Sequence, residues 1–367
     1  MVLNMSKIII DARIINSSTG RYVERLLHYL EKIDTTNKYI VLMPTKDKDY
    51  WKPTNPNFQI KLCDIPNYSI AEQTEFKKLL EELNADLIHF CMPQQPAFYK
   101  GKTVTTFHDL TLVRTYNIDK NWLIYHVKQL FGKQLFKIVA RKSTEIITPT
   151  EYTKQDLISF AKISGDKITV TYESADIKKD EAKPMDLPFE KYILYVGKQS
   201  AYKNVRRLGE AHQLLLKKYP DLGLVLANPK DKAVLMNEAY FNENNFKNIY
   251  YPGRVYNPDL AWLYPNCVCY VFPSFMEGFG LPGIEAMGLG APVVSSNASC
   301  LPEVYGDAAI YFDPLSVRDM ADKIDQVISD DKLRSDLIER GYKQFNKYSW
   351  EKMAKETYAV YMKALND

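Results

Sequence analysis

The sequence predicts an α/β fold made of two doubly wound, parallel-sheet domains of similar size. Short β-type runs alternate with helical stretches along the chain, which is the pattern of parallel α/β proteins. Several of these runs are continuously apolar, as expected of strands buried on both faces. The alternation starts again after residue 185. A length of 367 residues also fits two domains of about 100–200 residues each.

The first half contains seven predicted strands, at residues 7–11, 39–43, 58–62, 86–90, 103–107, 145–148 and 167–172. Predicted helices lie between them at 20–33, 72–83 and 154–162. Ser18 or Thr19 is placed to cap the first helix with its hydroxyl. The order of strands and helices predicts βαβ units with their helices on the faces of the sheet.

The second half repeats this organisation, with strands predicted at 192–196, 223–226, 248–251, 268–273, 292–296 and 309–312. Helices are predicted at 204–218, 258–264 and 318–330. Between the halves, residues 177–188 are charged, contain two prolines and have almost no large apolar side chain, which is typical of a linker. We therefore place the domain boundary at residues 180 and 181.

Composition excludes several classes of protein. Lys and Arg number 48 against 45 Asp and Glu, so a net charge of +3 excludes nucleic-acid binding through bulk charge. Five cysteines without a C-x-x-C motif argue against a disulfide framework or a zinc site and favour a reducing cytoplasm. The apolar start ends at Asp11, too early for a signal peptide, and the uncharged run 286–302 is too rich in Gly, Ser, Asn and Pro to span a membrane.

The segment richest in candidate functional residues follows the predicted strand 268–273. It has the sequence E-G-F-G-L-P-G-I-E, which starts at Glu277 and ends at Glu285. Pro282 suits the first turn of a helix, so the segment predicts a strand, a tight glycine turn and a helix N-terminus, whose N–H groups bind anions. Two carboxylates would crowd a bare pyrophosphate, but carboxylates are good acceptors for sugar hydroxyls. The pair therefore favours a hydroxyl-rich ligand.

The same segment also spells Gly278-x-Gly280-x-x-Gly283, the dinucleotide-binding fingerprint, and Glu303 lies 20 residues past the last glycine. That fingerprint belongs to the first strand–turn–helix unit of its fold, whereas this turn follows a late strand. An NAD-dependent oxidoreductase using these glycines stays open as an alternative.

The spacing of Glu277 and Glu285 inside E-G-F-G-L-P-G-I-E-A-M, followed by G-A-P-V-V, resembles the E-x7-E signature of retaining GT-B glycosyltransferases of family 4. The downstream segments L-P-E-V and Y-S-W-E are similar to further blocks of that family. The resemblance implies a GT-B fold, with two Rossmann-like domains facing a cleft. It assigns acceptor binding to domain 1–180, completed by a returning helix at 349–367, and donor binding to domain 181–348.

The resemblance also implies roles for single residues. Glu277 would bind hydroxyls of the donor sugar, Glu285 would hold the ribose, and Lys198 and Lys203 would stabilise the diphosphate. The family commonly has Arg then Lys at the two basic positions, whereas this chain has Lys at both. Lysine binds phosphate as a point charge and lacks the bidentate fork of arginine. Further donor-binding positions implied by the resemblance are Gly197, Gly278, Phe279, Gly280, Leu281, Val255 and Gly20.

His108 follows the predicted strand 103–107, where the family has a histidine close to the donor sugar. The catalytic set implied by the resemblance is therefore Glu277, His108 and Lys203. Asp109 could hold the His108 ring or cap the next turn. We interpret His28, His89 and His212 as structural. No cluster of Asp, Glu and His ligands stands out, so neither a required metal nor another cofactor is predicted.

The function implied is retaining transfer of a hexose from a nucleotide sugar to a glycan, lipid-linked or other hydroxyl acceptor. The segments H-D-L at His108 and Y-K-N at Tyr202 are most similar to those of polysaccharide-assembly mannosyltransferases, which suggests GDP-mannose as the donor. The alternatives are the NAD-dependent oxidoreductase described above and a non-catalytic GT-B-like binding subunit.

Residues 120–142 contain six basic side chains, no acidic one, and interleaved aromatics. Such a helix can lie on an anionic membrane surface. It can equally be a domain-surface helix whose aromatics pack inward. We therefore expect a cytoplasmic protein, with peripheral membrane association through 120–142 as one possibility.

Overall fold

The computed structural model describes residues 5–115, 122–176 and 181–367, without the side chains of 122–128. This part of the chain divides into two compact units. Unit 1 comprises residues 5–114, 122–173 and 349–367, and unit 2 comprises 174–176 and 181–348 together with Thr115.

Unit 1 contains a parallel seven-stranded sheet in the order β3-β2-β1-β4-β5-β6-β7. Its strands are β1 (Lys7–Asp11), β2 (Lys38–Met43), β3 (Phe58–Leu62), β4 (Leu87–Phe90), β5 (Thr103–Thr106), β6 (Glu145–Thr148) and β7 (Ile168–Val170). The three isoleucines of β1 are completely buried, because β1 lies between β2 and β4 and helices cover both faces. Strand order reverses at β1, and the crevice beside such a strand is where parallel sheets bind ligands.

The helices of unit 1 are α1 (Gly20–Ile33), α2 (Lys77–Leu83), α3 (Thr111–Arg114), α4 (Trp122–Lys142), α5 (Glu151–Ala161) and α13 (Trp350–Asn366). A π-helical turn, Glu72–Phe76, leads into α2, where the sequence predicted one continuous helix. The side chain of Thr19, at the N-cap of α1, makes no capping hydrogen bond, so the predicted hydroxyl cap is wrong for this residue.

Buried and half-buried polar contacts connect the C-terminal helix α13 to the sheet of unit 1. Tyr361 Oη lies 2.5 Å from Nδ1 of His89, whose Nε2 lies 2.8 Å from Thr106 Oγ1. Lys363 forms an ion pair with Glu145 at 2.8 Å. These contacts tie α13 to strands β4, β5 and β6. His89 therefore has a structural role, as predicted.

Unit 2 contains a parallel six-stranded sheet in the order β10-β9-β8-β11-β12-β13. Its strands are β8 (Tyr192–Val196), β9 (Gly223–Ala227), β10 (Ile249–Tyr250), β11 (Cys269–Phe272), β12 (Val293–Ser296) and β13 (Ala309–Phe312). Each of the thirteen predicted strands is present, and several are one to three residues shorter than predicted. The residues trimmed from their ends lie in the adjoining loops.

The helices of unit 2 are α6 (Val205–Leu215), α7 (Lys232–Glu243), α8 (Asn257–Asn266), α9 (Leu281–Gly288), α10 (Leu301–Tyr305), α11 (Val317–Ser329) and α12 (Asp331–Phe345). Sequence reasoning did not predict α7 and α12, whose buried residues are few and widely spaced. Cys267 lies at the C-cap of α8, and Cys269 is the first residue of β11. All five cysteines are buried and free.

Candidate active site

The predicted donor residues of unit 2 lie where its strand order reverses. Strand β8 is the first in the chain, β9 and β10 lie on one side of it, and β11 lies on the other. The loops that follow β8 and β11 therefore leave the same edge of the sheet side by side. The first loop contains Lys198 and Lys203, and the second contains Glu277. This is the position at which open parallel sheets bind their ligands.

Lys203 and Glu277 meet directly in this crevice. Nζ of Lys203 donates a hydrogen bond of 2.6 Å to Oε1 of Glu277, although 74 positions separate them in the chain. The two side chains are only 15% and 12% exposed. The ammonium also lies 5.1 Å from the ring centre of Tyr202 and 5.5 Å from that of Phe272. The site thus holds one positive and one negative charge in a mostly water-excluded position, where electrostatic interactions are strong.

Asn204 fixes the position of Lys203. Its backbone is left-handed, at φ +60°, between a 3₁₀ turn (Ala201–Lys203) and α6. Its buried amide group donates to the carbonyl oxygens of Pro273 at 3.1 Å and Pro314 at 2.8 Å. Because Pro273 directly follows β11, these bonds couple the lysine loop to the glutamate loop. Asn204 is a positioning residue that side-chain chemistry alone did not identify.

The loop that contains Glu277 is held from the far side by the segment after β12. The backbone N–H of Glu277 donates to Ser299 Oγ at 3.1 Å, and its carbonyl accepts a hydrogen bond from the Cys300 thiol at 3.2 Å. Ser299 has a left-handed backbone, at φ +55°. The Glu277 backbone is thereby fixed on both sides, which leaves the carboxylate to face Lys203.

The structure gives a steric reason for glycine at two positions of the turn. Gly280 has φ +86° and is the N-cap of α9. The buried Tyr305 donates its hydroxyl hydrogen bond to Gly280 O at 2.6 Å. A Cβ on Gly280 would lie 2.4 Å from that hydroxyl, and one on Gly283 would lie 2.3 Å from it. Both glycines therefore allow Tyr305 to pack against the turn.

Glu285 lies in α9, one turn past its start, and is almost completely buried. Phe279, at 4% exposure, packs edge-on against Tyr348, with ring centres 5.2 Å apart. Gly278 precedes it in the turn, and Leu281 is the first residue of α9. The segment thus has the strand–turn–helix geometry that the sequence predicted, with both acids at the carboxyl edge of the sheet.

Buried tyrosines lie beneath the two acids. Burial raises the pKa of Tyr195 well above its usual range, and the charge of Glu277 adds to this effect. Burial likewise raises the pKa of Tyr270, with a smaller contribution from Glu285. These phenols stay neutral, so they add no competing charge near the two acids.

The remaining predicted donor positions of unit 2 also lie at this edge. Gly197 follows β8 with φ +138°, and its N–H bonds to Ala227 O at 3.2 Å. Lys198 is exposed, and its carbonyl accepts the Tyr195 hydroxyl at 2.6 Å. Val255 is half-buried in the loop between β10 and α8. Of the two predicted lysines, Lys203 is the one that contacts a predicted acid.

In unit 1, His108 follows β5 and both its ring nitrogens have partners. Nε2 donates to Cys91 O at 3.0 Å, and Nδ1 lies 3.0 Å from Glu173 Oε1. The ring also packs edge-on against Tyr22, at 4.7 Å between centres. Asp109 caps the next turn by accepting the Thr111 N–H at 2.8 Å. The acid that orients His108 is therefore Glu173, 65 positions away, and a sugar hydroxyl could bond to the ring only by displacing a partner.

Gly20 begins α1, where a Cβ would lie 1.8 Å from Ile15 O. The close approach of these two backbone segments is thus sufficient reason for glycine at this position. Among the described residues, no group of three or more His, Cys, Asp or Glu side chains is arranged to hold a metal ion. In the same part of the chain, no helix combines the length and apolar character needed to cross a bilayer.

Comparison with known proteins identifies the family. Residues 19–179 match the model of Glycosyltransferase Family 4, and residues 176–344 match that of Glycosyl transferases group 1. The Escherichia coli O-antigen chain mannosyltransferase B is 30% identical over 277 residues, which cover 71% of this chain and 70% of that protein. The chain belongs to the GT-B glycosyltransferases. This assignment disfavours the interpretation of Gly278, Gly280 and Gly283 as an NAD site.

A second relative of this glycosyltransferase is the serotype-specific mannosyltransferase WbdA of E. coli, 28% identical over 264 residues. The match covers 69% of this chain but 32% of WbdA, so the chain spans about a third of that relative's length.

Solved structures show the same fold at low identity. Sucrose-phosphate synthase from Thermosynechococcus elongatus has a TM-score of 0.77 at 16% identity, with 98% of each chain covered. Anabaena Alr3699/HepE, solved in complex with UDP-glucose, has a TM-score of 0.71 at 13% identity, covering 98% of this glycosyltransferase and all of that chain. At these identities the likeness concerns the fold alone.

Proposed function

We propose that this glycosyltransferase moves a mannosyl group from GDP-mannose to a saccharide acceptor, with retention of the anomeric configuration. The choice of mannose as the transferred sugar is supported by the relatives of this chain. Mannosyltransferases of E. coli are named among them, and one of these is 30% identical. The observation that carries the proposal is the Lys203–Glu277 pair at the strand-order reversal of unit 2, with Glu285 in the helix that follows.

In this proposal the two acids divide the donor between them. Glu285 accepts hydrogen bonds from the ribose hydroxyls, and Glu277 accepts them from hydroxyls of the transferred sugar. A carboxylate can accept several such bonds, so Glu277 can keep Lys203 as a partner while it binds a hydroxyl. Glu285 lies in α9, and hydrogen bonds from Ser299 and Cys300 hold the backbone of the Glu277 loop. The donor is therefore oriented before reaction, which contributes to catalysis by positioning.

Lys203 stabilises the diphosphate that departs when the sugar–phosphate bond breaks. Charge grows on the leaving oxygen in the transition state, and a preorganised cation in a poorly solvated site stabilises that charge more than water does. Exposed Lys198 and the N–H groups at the start of α9 supplement it. No side chain is proposed as a covalent nucleophile; the leaving phosphate itself assists removal of the acceptor proton.

His108, oriented by Glu173, is proposed to face the donor sugar when the substrate is bound. Its Nε2–H, which donates to Cys91 O in this structure, is the group able to donate to a sugar or phosphate oxygen instead. The remaining donor positions, Gly20, Gly197, Gly278, Phe279, Gly280, Leu281 and Val255, are proposed to contact the nucleotide through backbone groups and apolar surface. No metal or other cofactor is part of the proposal.

Peripheral membrane association through α4 is a further part of the proposal. Its exposed face carries the apolar side chains of Leu130, Phe131 and Ile138, with Lys133 exposed between them. Lys142 turns toward its own unit and donates to Pro96 O, and burial lowers its pKa to about 8. Residues 120 and 121 and the side chains of 122–128 lie outside the described part of the chain.

The proposed reaction is tested by incubating the protein with GDP-mannose and a methyl α-mannoside. We expect a disaccharide whose new linkage is α, as shown by the one-bond C1–H1 coupling constant in NMR spectra. A β-linked product would contradict retention, and transfer from UDP-glucose but not GDP-mannose would contradict the donor. Thermal shift with the same donors and with NAD provides a control, because a ligand that binds only the folded state stabilises it. Stabilisation by NAD alone would overturn the proposal.

A further inference from the structure

Three large apolar side chains are exposed in the two loops that follow β3 and β4 of unit 1. Ile70 is 84% exposed, Phe98 73% and Tyr68 54%. Tyr68 and Ile70 lie in the segment between β3 and the π-helical turn, and Phe98 lies in the loop after β4. Both segments leave the edge at which parallel sheets bind ligands. Grouped apolar exposure of this kind marks binding surfaces.

The segment that carries Tyr68 is held in a strained conformation. Tyr68 has φ +59°, a left-handed conformation that disfavours an aromatic residue. Its N–H donates to Glu72 Oε2 at 3.0 Å, and its hydroxyl donates to Gln94 Oε1 at 3.3 Å. These bonds stabilise the strained backbone and connect the segment to the loop after β4. Backbone strain maintained in this way is concentrated at functional sites.

Hydrogen bonds of Gln73 connect the Phe98 loop to the π-helical turn. Its side-chain amide donates to Gln95 O at 3.1 Å and accepts the Ala97 N–H at 2.8 Å. Gln95 is completely buried and donates to Thr105 Oγ1 at 2.9 Å. Phe98 is therefore presented to solvent directly after a segment that is fixed at Gln95 and Ala97. Its exposure is not explained by packing within unit 1.

Behind the surface, one buried cation lies between two buried acids. Arg13 forms ion pairs with Asp11 at 2.7 Å and Glu72 at 2.9 Å, and all three are buried. The exposed side chains of this surface are two aromatic rings and an isoleucine, and none of the three carries a charge. Aromatic rings pack on the apolar faces of sugars, so the surface suits an uncharged saccharide better than a charged headgroup.

We propose that Tyr68, Ile70 and Phe98 form the platform that binds a neutral saccharide acceptor, two or more sugar units of a glycan chain, next to the crevice of unit 1. This inference rests on the proposed glycosyl transfer and deepens it, because it selects a glycan over a lipid headgroup as the acceptor. Phe98 supplies the principal stacking surface. Ile70 and Tyr68 extend that surface along the chain of sugars.

Saturation-transfer NMR with linear α-linked mannotriose tests the platform without requiring activity. We expect the full-length protein to bind mannotriose, Phe98→Ala to bind it about tenfold more weakly, and Phe98→Tyr to bind it normally. Leu235→Ala, which removes another exposed apolar side chain, from α7 of unit 2, is the matched control and is expected to bind like the unmodified protein. Equal binding by Phe98→Ala and the control would overturn the proposal.

Two further measurements separate this inference from the proposed function. In transfer from GDP-mannose, the KM for mannotriose is expected to rise about tenfold in Phe98→Ala and to stay unchanged in Leu235→Ala. If the unmodified protein neither hydrolyses nor transfers any donor, the proposed function fails, yet the NMR experiment still decides the platform. If Phe98→Ala loses binding to phosphatidylglycerol vesicles but keeps mannotriose binding, the surface contacts lipid and the proposal is wrong.

Discussion

Lys203 and Glu277 illustrate how single side chains create the site. Each charge would be costly to bury alone, but each supplies the other's partner at 2.6 Å. The Lys203 ammonium is therefore held in place before the donor binds, against the rings of Tyr202 and Phe272. The proposed donor would supply hydroxyls to Glu277 and phosphate oxygens to Lys203, and would thus satisfy both groups without separating them.

Adding a single methyl group at Gly283 is expected to destabilise the folded protein. Gly283→Ala places a Cβ 2.3 Å from the ring and hydroxyl of the buried Tyr305, which cannot move without losing its bond to Gly280 O. We expect a loss of about 1–3 kcal/mol in the free energy of unfolding, measured by urea denaturation. Gly132→Ala in α4 is the matched control, because nothing lies within 4 Å of that Cβ. Equal stability of the two variants would contradict the role assigned to Tyr305.

The positions of the candidate site residues could be predicted from the sequence where residues close together in the chain determine them. Glu277 and Glu285 share one strand–turn–helix segment, so their common location at the sheet edge follows from the sequence alone. Partners that are distant in the chain could not be predicted. The acid beside His108 is Glu173, not the adjacent Asp109, and Ser299 and Asn204 hold the site through bonds to segments 22 to 110 positions away.

At the scale of elements, strands were easier to predict than helices. The strands are continuous apolar runs because both their faces are buried, whereas α7 and α12 bury only three residues each. A helix that rests on the protein with a narrow apolar stripe gives a weak periodic signal. The π-helical turn and α2 were predicted as one helix for a related reason. The turn changes the hydrogen-bond register without changing the apolar pattern of the sequence.

Helix α4 gives a prediction at this scale. The double change Lys133→Glu and Lys137→Glu reverses two charges on the helix proposed to contact anionic lipid. Because each basic residue near such a surface contributes about 1 kcal/mol, we expect at least a tenfold loss of co-sedimentation with phosphatidylglycerol vesicles. Lys77→Glu with Lys78→Glu on α2 is the control with the same change in net charge. Equal losses in the two variants would show a bulk-charge effect and contradict the assignment to α4.

Two buried histidines give the whole molecule a predictable response to acid. Burial lowers the pKa of His89 to about 3 and that of His212 to about 4, from an ordinary value of 6.5. Below pH 6.5 the unfolded chain binds protons at these positions and the folded chain does not. The free energy of unfolding therefore falls as the pH drops from 6.5 toward 4, by up to about 1.4 kcal/mol per pH unit for each histidine.

Urea denaturation between pH 7.5 and pH 4.5 measures this dependence. His89→Gln keeps an amide that can bond to Tyr361 and Thr106 but does not titrate. We expect its stability to fall less steeply with decreasing pH than that of the unmodified protein. Parallel pH profiles would show that His89 is not the source of the acid sensitivity.

Turnover of GDP-mannose by variants of the Lys203–Glu277 pair tests the central claim most directly. Lys203→Met and Glu277→Gln are each expected to lower kcat at least 100-fold, since each removes electrostatic or positioning contacts in the transition state. The double variant should lose little more than either single one, because the two groups act together. Lys218→Met, which breaks the exposed Lys218–Asp325 pair of unit 2, serves as the control. Turnover by both single variants within about twofold of the control would contradict the account.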